Sequence, residues 1–160
     1  IKMKKLLFLV PLISYINLFS QISTIESFTK NLEKKEGFIN YYWDDIKGKL
    51  YLEIQSLDKE LIYVNYLSAG IGSNDIGLDR GQIGGTRIIK FIKIGPKILM
   101  VQPNYKFRAL SENIEEIKSV NDAFARSTIW GFQIQAKSGT SYLIDATEFA
   151  KRDSHMVSTR

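Results

Sequence analysis

The chain has 160 residues, of which 44% are hydrophobic and 24% charged, and it contains no cysteine and one histidine, His155. This composition is typical of a single globular domain and excludes disordered, collagen-like and disulfide-framed proteins. A zinc site of the Cys/His type lacks its ligands, and only His155 could supply a catalytic imidazole.

The formal net charge is +5, but the charge is unevenly distributed. Lys2, Lys4 and Lys5 lie in the first twenty residues, which hold no acidic residue. The rest of the chain therefore contains 19 of the 22 basic side chains and all 17 acidic ones. No further cluster of Lys and Arg follows, and such a cluster is what a phosphate-binding surface requires. We therefore expect no nucleic-acid partner.

Residues 1–20 have the layout of a bacterial signal peptide. The three lysines precede an apolar stretch from Leu6 to Phe19, and the small residue Ser20 would end it. Fourteen helical residues span only about 21 Å, less than the roughly 30 Å of a bilayer core, so a stable membrane anchor is not expected. No cysteine follows that could carry a lipid. The segment predicts export to the periplasm, the cell surface or the medium.

After residue 20, the spacing of the hydrophobic residues changes from one typical of a helix to one typical of strands. In residues 21–36 the apolar side chains recur at spacings of three and four, which predicts a short helix. From Gly37 onward alternation predicts strands over residues 38–43 and 49–54, joined by a polar turn that contains Gly48. Further strands are predicted over residues 61–67, 87–94, 97–102, 130–136 and 142–144.

One longer helix interrupts these strands, over residues 111–126. Ser111 is a suitable N-cap, and Glu residues fill the first turn. Apolar side chains form one stripe that should pack on the sheet, namely Ile114, Ile117, Val120 and Phe124. The predicted class is α+β, mainly β: an antiparallel sheet of hairpins with this helix packed on it. In the predicted strand 130–136, Trp130, Phe132, Ile134 and Ala136 should share one face.

The β-rich domain is expected to occupy residues 37–160 and to be truncated at its C-terminus. A last helix begins near Thr147, and no helix stop or cap signal precedes Arg160.

Residues 68–85 contain six glycines and must form a loop. The loop lacks the lysine of a phosphate-binding loop and the third glycine of a dinucleotide-binding loop. Its carboxylates, Asp75 and Asp79, could act as an acid and base pair in a hydrolase. A structural crossover is the simpler interpretation.

Several blocks of the sequence resemble one protein family in a fixed order. They include Tyr41-Tyr42-Trp43-Asp44, Gly70-Ile71-Gly72-Ser73-Asn74-Asp75, Leu78-Asp79-Arg80-Gly81-Gln82, Phe107-Arg108-Ala109 and Asp145-Ala146-Thr147. This pattern resembles the N-terminal domain of unknown function of secreted bacterial zinc-dependent metalloproteases. The resemblance implies a longer parent whose catalytic domain binds zinc through His-Glu-x-x-His, a motif that is missing from this chain.

The resemblance therefore implies a fragment that is not itself an enzyme and holds no cofactor. Its expected partner is its own downstream catalytic domain, with a peptide or protein substrate nearby. We predict that Asp75, Asp79, Arg80 and Arg108 hold the Gly-rich loop and form the surface presented to that domain, since Arg in turn-rich backbone usually binds carbonyls or a carboxylate. The alternative is a self-sufficient exported β-rich binding module for protein or glycan, in view of eight Tyr, nine Phe and two Trp.

Overall fold

The structure is a computed structural model that describes residues 22–70, 75 and 77–154. The signal peptide predicted for residues 1–20, and His155, lie outside the described residues. The elements are, in chain order, α1 (Ile25–Thr29), β1 (Glu33–Lys35), β2 (Asn40–Asp44), β3 (Lys49–Ile54), β4 (Leu61–Tyr66), β5 (Ile83–Ile94), β6 (Lys97–Gln102), α2 (Ile114–Ala123), β7 (Ser127–Ser138), β8 (Ser141–Asp145) and α3 (Thr147–Lys151).

All eight strands join one antiparallel sheet in the order β1-β2-β3-β8-β7-β6-β5-β4. Six of the seven neighbouring pairs are consecutive in the chain, and the tight turns at Gly48, Gly95 and Gly139 make hairpins of the kind that alternation and turn glycines predict. The exception is the pairing of β8 with β3. The sheet curls, and the predicted mainly β α+β class is confirmed.

The inner face of the curled sheet carries the main core. Alternate side chains from five strands meet there: Ile54, Ile89, Phe91, Ile98, Met100, Phe132, Tyr142 and Ile144. Helix α3 lies over this face, and Phe149 packs edge-on against Phe132 at 5.3 Å between ring centroids. The late helix predicted near Thr147 is thus present. Its first residue is also fixed to β3, because Leu50 N–H donates to Thr147 Oγ1 at 3.0 Å.

The outer face carries a second, smaller core under α1. Ile25 of α1 is buried there with Tyr42, Tyr51, Ala136 and Leu143. Thr24 caps α1, since its hydroxyl accepts from Ser27 N–H. The helix predicted within residues 21–36 is limited to α1, Ile25–Thr29. Residues Glu33–Lys35 are extended and pair with β2 instead.

The face assignment predicted for Ala136 is wrong. Trp130, Phe132 and Ile134 pack into the inner core as expected, but Ala136 belongs to the outer one. The pairing of β7 with β8 advances two residues on β7, from Ile134 to Ala136, for one on β8. This β-bulge inserts one residue and reverses the side-chain alternation that follows it.

The predicted helix over residues 111–126 is present as α2, but it begins at Ile114 and its N-cap is Asn113, not Ser111. Asn113 Oδ1 accepts from Glu115 N–H at 3.0 Å. Its apolar stripe was expected to pack on the sheet, yet no residue of α2 is buried. The helices that do pack closely on the sheet are α1 and α3.

Candidate interaction surface

An open cleft of about 740 Å³ lies between the outer face of the sheet and residues 103–126. Its floor is formed by side chains of β5 and β6 that alternate with the inner core, namely Lys90, Ile92 and Val101. Its wall is the segment that leads into and out of α2. We call this feature the Tyr105 cleft, because Tyr105 connects wall to floor.

Tyr105 is held by a hydrogen bond from its hydroxyl to the carboxylate of Glu60. The same carboxylate pairs with Lys90 of β5 at 3.2 Å. The hydrogen bond to Glu60 raises the pKa of Tyr105, and the bonds from Tyr105 and Lys90 lower the pKa of Glu60. All of these groups face solvent, so they orient the wall more than they stabilise the fold.

Arg108 packs on the other side of Tyr105. Its guanidinium lies 4.8 Å from the centre of the Tyr105 ring, and its Nε donates to the Tyr105 carbonyl at 3.1 Å. This is the kind of carbonyl contact predicted for an Arg in turn-rich backbone. The contact lies within the wall of the cleft, however, and not on the Gly-rich loop.

Contacts also join the segment that precedes α2 to the residue that follows it. Asn104 Oδ1 accepts from the backbone of Lys106 and Phe107, and its amide donates to the carbonyl of Phe124 at 3.2 Å. The rings of Phe107 and Phe124 stack at 4.2 Å with an angle of 17° between planes. Residues 104–124 therefore form a small closed unit on the outer face.

This unit leaves its apolar side chains in solvent. Leu110 is fully exposed and Ile114 is 75% exposed. Phe107, Ile117 and Phe124 are each about two-fifths exposed. We call these five residues the α2 apolar surface. Together they expose on the order of 600 Å², which is the upper end of what a monomeric protein usually shows in one patch.

The remaining predicted site residues lie on the Gly-rich loop between β4 and β5. Asp75 and Arg80 are exposed and Asp79 is partly buried. Among the described residues, the side chains of Asp79 and Arg80 make no hydrogen bond or ion pair, and no contact joins them to Arg108. Within the described ranges, the contacts of Arg108 are thus separate from Asp79 and Arg80, and the role predicted for the four side chains stays a prediction.

Backbone contacts hold the described part of this loop. Leu67 N–H donates to the Gln82 carbonyl at 2.9 Å, and Gly81 N–H donates to the Leu67 carbonyl at 2.6 Å. Gly70 lies so close to the returning chain that a Cβ atom there would be 2.5 Å from the nitrogen of Arg80. Leu78, which is 2% exposed, anchors the loop. In the described part of the loop, backbone hydrogen bonds and the buried side chain of Leu78 therefore support the interpretation of the loop as a structural crossover.

A second exposed apolar surface lies on the outer side of β4 and β5. It consists of Ile62, Val64, Tyr66, Ile83 and Ile88, and we call it the β4–β5 surface. The register places Ile62 beside Ile88 and Tyr66 beside Ile83. This surface was not predicted from the sequence, although a strand with apolar residues on both faces is itself typical of a covered strand.

No group of three or more His, Cys, Asp or Glu side chains in the described part of the chain is arranged to hold a metal ion. Within the same residues, no helix is long and apolar enough to cross a bilayer.

The fold and these surfaces define a mainly β domain with an open cleft and two exposed apolar surfaces. Residues 22–70 match the family described as Domain of unknown function (DUF5118), and residues 81–160 match Domain of unknown function (DUF5117). The second match covers half of the chain, which therefore belongs to the DUF5117 family. A comparison with curated proteins finds no match, and neither does one with solved structures.

The two matched regions build one sheet and not two separate domains. The first contributes β1 to β4 and the second β5 to β8. They are joined twice, since β4 pairs with β5 and β3 pairs with β8. The boundary between the two families falls in the Gly-rich loop.

Proposed function

We propose that this chain is the non-catalytic N-terminal part of an exported zinc-dependent metallopeptidase and that it packs against the catalytic domain of that protein. The ordered sequence blocks that resemble such proteases support this proposal. The described residues offer no donor set that fits zinc, so the proposal assigns the metal to the catalytic domain and derives no chemical step here.

The observation that carries the proposal is the α2 apolar surface. Helix α2 has a regular apolar stripe, but it buries none of its residues. Covering this surface would gain about 25 cal/mol for each Å² removed from water, or on the order of 15 kcal/mol for the whole patch before the cost of association. A patch of this size supports the proposal that another folded unit covers it.

The Tyr105 cleft fits the same role, because Phe107, Ile117 and Phe124 of the α2 apolar surface also line it. A domain seated on that surface would therefore reach the cleft. There Lys90, Arg108 and Arg126 provide positive charge and Asp58 and Asp122 negative charge. The ring of Tyr105 and the side chain of Arg108 would then lie at the edge of the contact. The role proposed for Arg108 is support of this wall, with no part in bond cleavage.

The first test is to read the gene downstream and to express the longer protein. A His-Glu-x-x-His motif in frame, and peptidase activity that a chelator removes and zinc restores, are expected. The present chain alone should bind no stoichiometric zinc by metal analysis and cleave no peptide. Stoichiometric zinc in this chain, or a downstream sequence without the motif, would contradict the proposal.

The docking surface is tested separately in the longer protein. Leu110→Asp and Ile114→Asp place carboxylates in the proposed contact and should loosen the two domains, seen as faster proteolytic separation and a lower melting temperature. Ile46→Asp is the matched control, because Ile46 is 97% exposed in the turn between β2 and β3. Equal behaviour of all three variants would mean that α2 does not face the catalytic domain.

One observation favours the second candidate, an exported binding module for protein or glycan. The stacked rings of Phe107 and Phe124, beside Tyr105 and Arg108, form an exposed aromatic surface at an open cleft. Aromatic faces of this kind bind flat apolar ligand surfaces. Saturable binding of a glycan or peptide to this chain, abolished by Phe107→Ala, together with a downstream sequence that lacks the zinc motif, would favour it.

A further inference from the structure

The two edges of the sheet differ in a way that bears on assembly. Strand β1 has three residues, Glu33–Lys35, and each is charged and exposed. Short charged edge strands are a common protection against pairing with another chain. Strand β4, at the other edge, has six residues and no charge. In the part of the chain that the structure describes, only β5 pairs with it.

Strand β4 is regular along its length. Its pairing with β5 has one irregularity, where two steps from Val64 to Tyr66 correspond to three steps on β5, from Thr86 to Ile83. The extra residue therefore lies on β5, where Gly84 and Gly85 accommodate it. Strand β4 itself therefore carries no bulge, and on the side away from β5 its backbone keeps the regular alternation that pairing with a further strand requires.

The outer side chains of β4 are also exposed. Ile62 is 75% exposed, Val64 40% and Tyr66 67%. With their neighbours on β5 they leave on the order of 500 Å² of apolar surface in water, a patch large enough to mark an interaction site. A strand edge that no other described strand occupies, together with an apolar face on the same strand, fits an extended, uncharged polypeptide as the occupant.

We propose that this occupant is β4 of a second copy of the chain, paired antiparallel about a two-fold axis at Val64. Leu67 extends the paired stretch beyond β4, since its N–H donates to the Gln82 carbonyl, so the stretch is residues 61–67 and its central residue is Val64. A register about this centre places Val64 against Val64 of the second copy. It also places Ile62 against Tyr66 and Tyr63 against Asn65. A shift by one residue would set the apolar face against the polar one, and a shift by two would shorten the ladder.

This register is complementary to itself. On the outer face, both Ile62–Tyr66 pairs join an aromatic ring to a β-branched side chain, a combination that stabilises cross-strand pairs by about 0.2–1 kcal/mol each. No charged residue opposes a like charge, because β4 carries none and Lys59 and Glu60 would face the uncharged residues after β4. The eight-stranded sheets of the two copies would then continue into each other.

The expected dimer is weak. Pairing two six-residue strands removes several hundred Å² per copy, less than the roughly 800 Å² per partner of a standard interface. We therefore expect dissociation upon dilution, with dimer at concentrations of about 50–200 µM and monomer at about 1 µM, corresponding to a micromolar dissociation constant.

A charge-pair experiment tests this directly, because Val64 would oppose itself. Val64→Lys and Val64→Glu should each remain monomeric in sedimentation velocity, with a dissociation constant raised at least tenfold. An equimolar mixture of the two should again form dimers. The matched controls are Thr86→Lys and Thr86→Glu, which lie on the same face opposite Val64 but one strand further in, and these should dimerise like the parent.

A second measurement uses the absence of cysteine. Val64→Cys should form a disulfide-linked dimer upon mild oxidation, while Ile46→Cys should react far more slowly. A parent chain that stays monomeric at 200 µM would overturn the proposal. Dimers that persist in both Val64 charge variants, or equal cross-linking of the two cysteine variants, would do so as well. None of these outcomes depends on whether a catalytic domain follows.

Discussion

Replacing Phe149 with Ala tests how the inner core is closed. Phe149 is the side chain by which α3 reaches the sheet, and its ring contacts Phe132 at 5.3 Å, Trp130 at 5.7 Å and Tyr63 at 6.0 Å. The guanidinium of Arg152 covers its outer side at 3.9 Å from the ring centre. Truncation removes all of these contacts at once and exposes the buried ring of Phe132.

Burial sets the expected magnitude. A fully buried Phe loses about 3–5 kcal/mol when it is replaced by Ala. Phe149 is partly buried, so about half of the transfer term applies, and the lost aromatic pairs add roughly 0.5–1.5 kcal/mol. We expect a loss of about 2–3 kcal/mol in the free energy of unfolding, a large part of the ~5–15 kcal/mol of an ordinary domain.

Urea unfolding followed by tryptophan fluorescence is a suitable assay, because Trp130 touches Phe149. Phe149→Leu should lose about 1 kcal/mol, since it retains most of the apolar volume. Phe38→Ala is the control, because Phe38 is 80% exposed. If Phe149→Ala lost less than about 0.5 kcal/mol, α3 would not close the core, and the reasoning about the inner face would be wrong.

Two further predictions concern single contacts. Burial alone would raise the pKa of Asp145. Its carboxylate accepts hydrogen bonds from the Thr147 hydroxyl, Lys49 Nζ and the Thr147 N–H, and these bonds outweigh burial and leave the pKa lowered. Asp145→Asn should therefore lower the free energy of unfolding by about 1–2 kcal/mol at pH 7. This loss relative to the parent should shrink as the pH falls through the lowered pKa, below about pH 4. A loss that does not change with pH in urea unfolding would refute this. Gly70→Ala should destabilise the chain by about 1–3 kcal/mol, because the new Cβ would meet the backbone of Arg80; an unchanged melting temperature would show that the loop adjusts freely.

Local sequence determined most of the elements. The strand predicted over residues 97–102 is present with the same bounds as β6, and that over residues 49–54 as β3. Both are short alternating segments next to a turn glycine with positive φ, Gly95 and Gly48. Alternation and turn chemistry act over a few residues, so they can be read from the sequence alone. The same holds for α3, which begins at Thr147.

Tertiary structure decided what these elements touch. Nothing local indicates that β8 inserts between β3 and β7, or that the charged residues Glu33–Lys35 become an edge strand. The bulge before Ala136 reversed a face that strict alternation had assigned. The apolar residues of α2 recur with the spacing of a helix, but this spacing predicts only that one face of the helix is apolar. Whether that face is buried depends on the surface opposite it, and this chain's own sheet does not cover it.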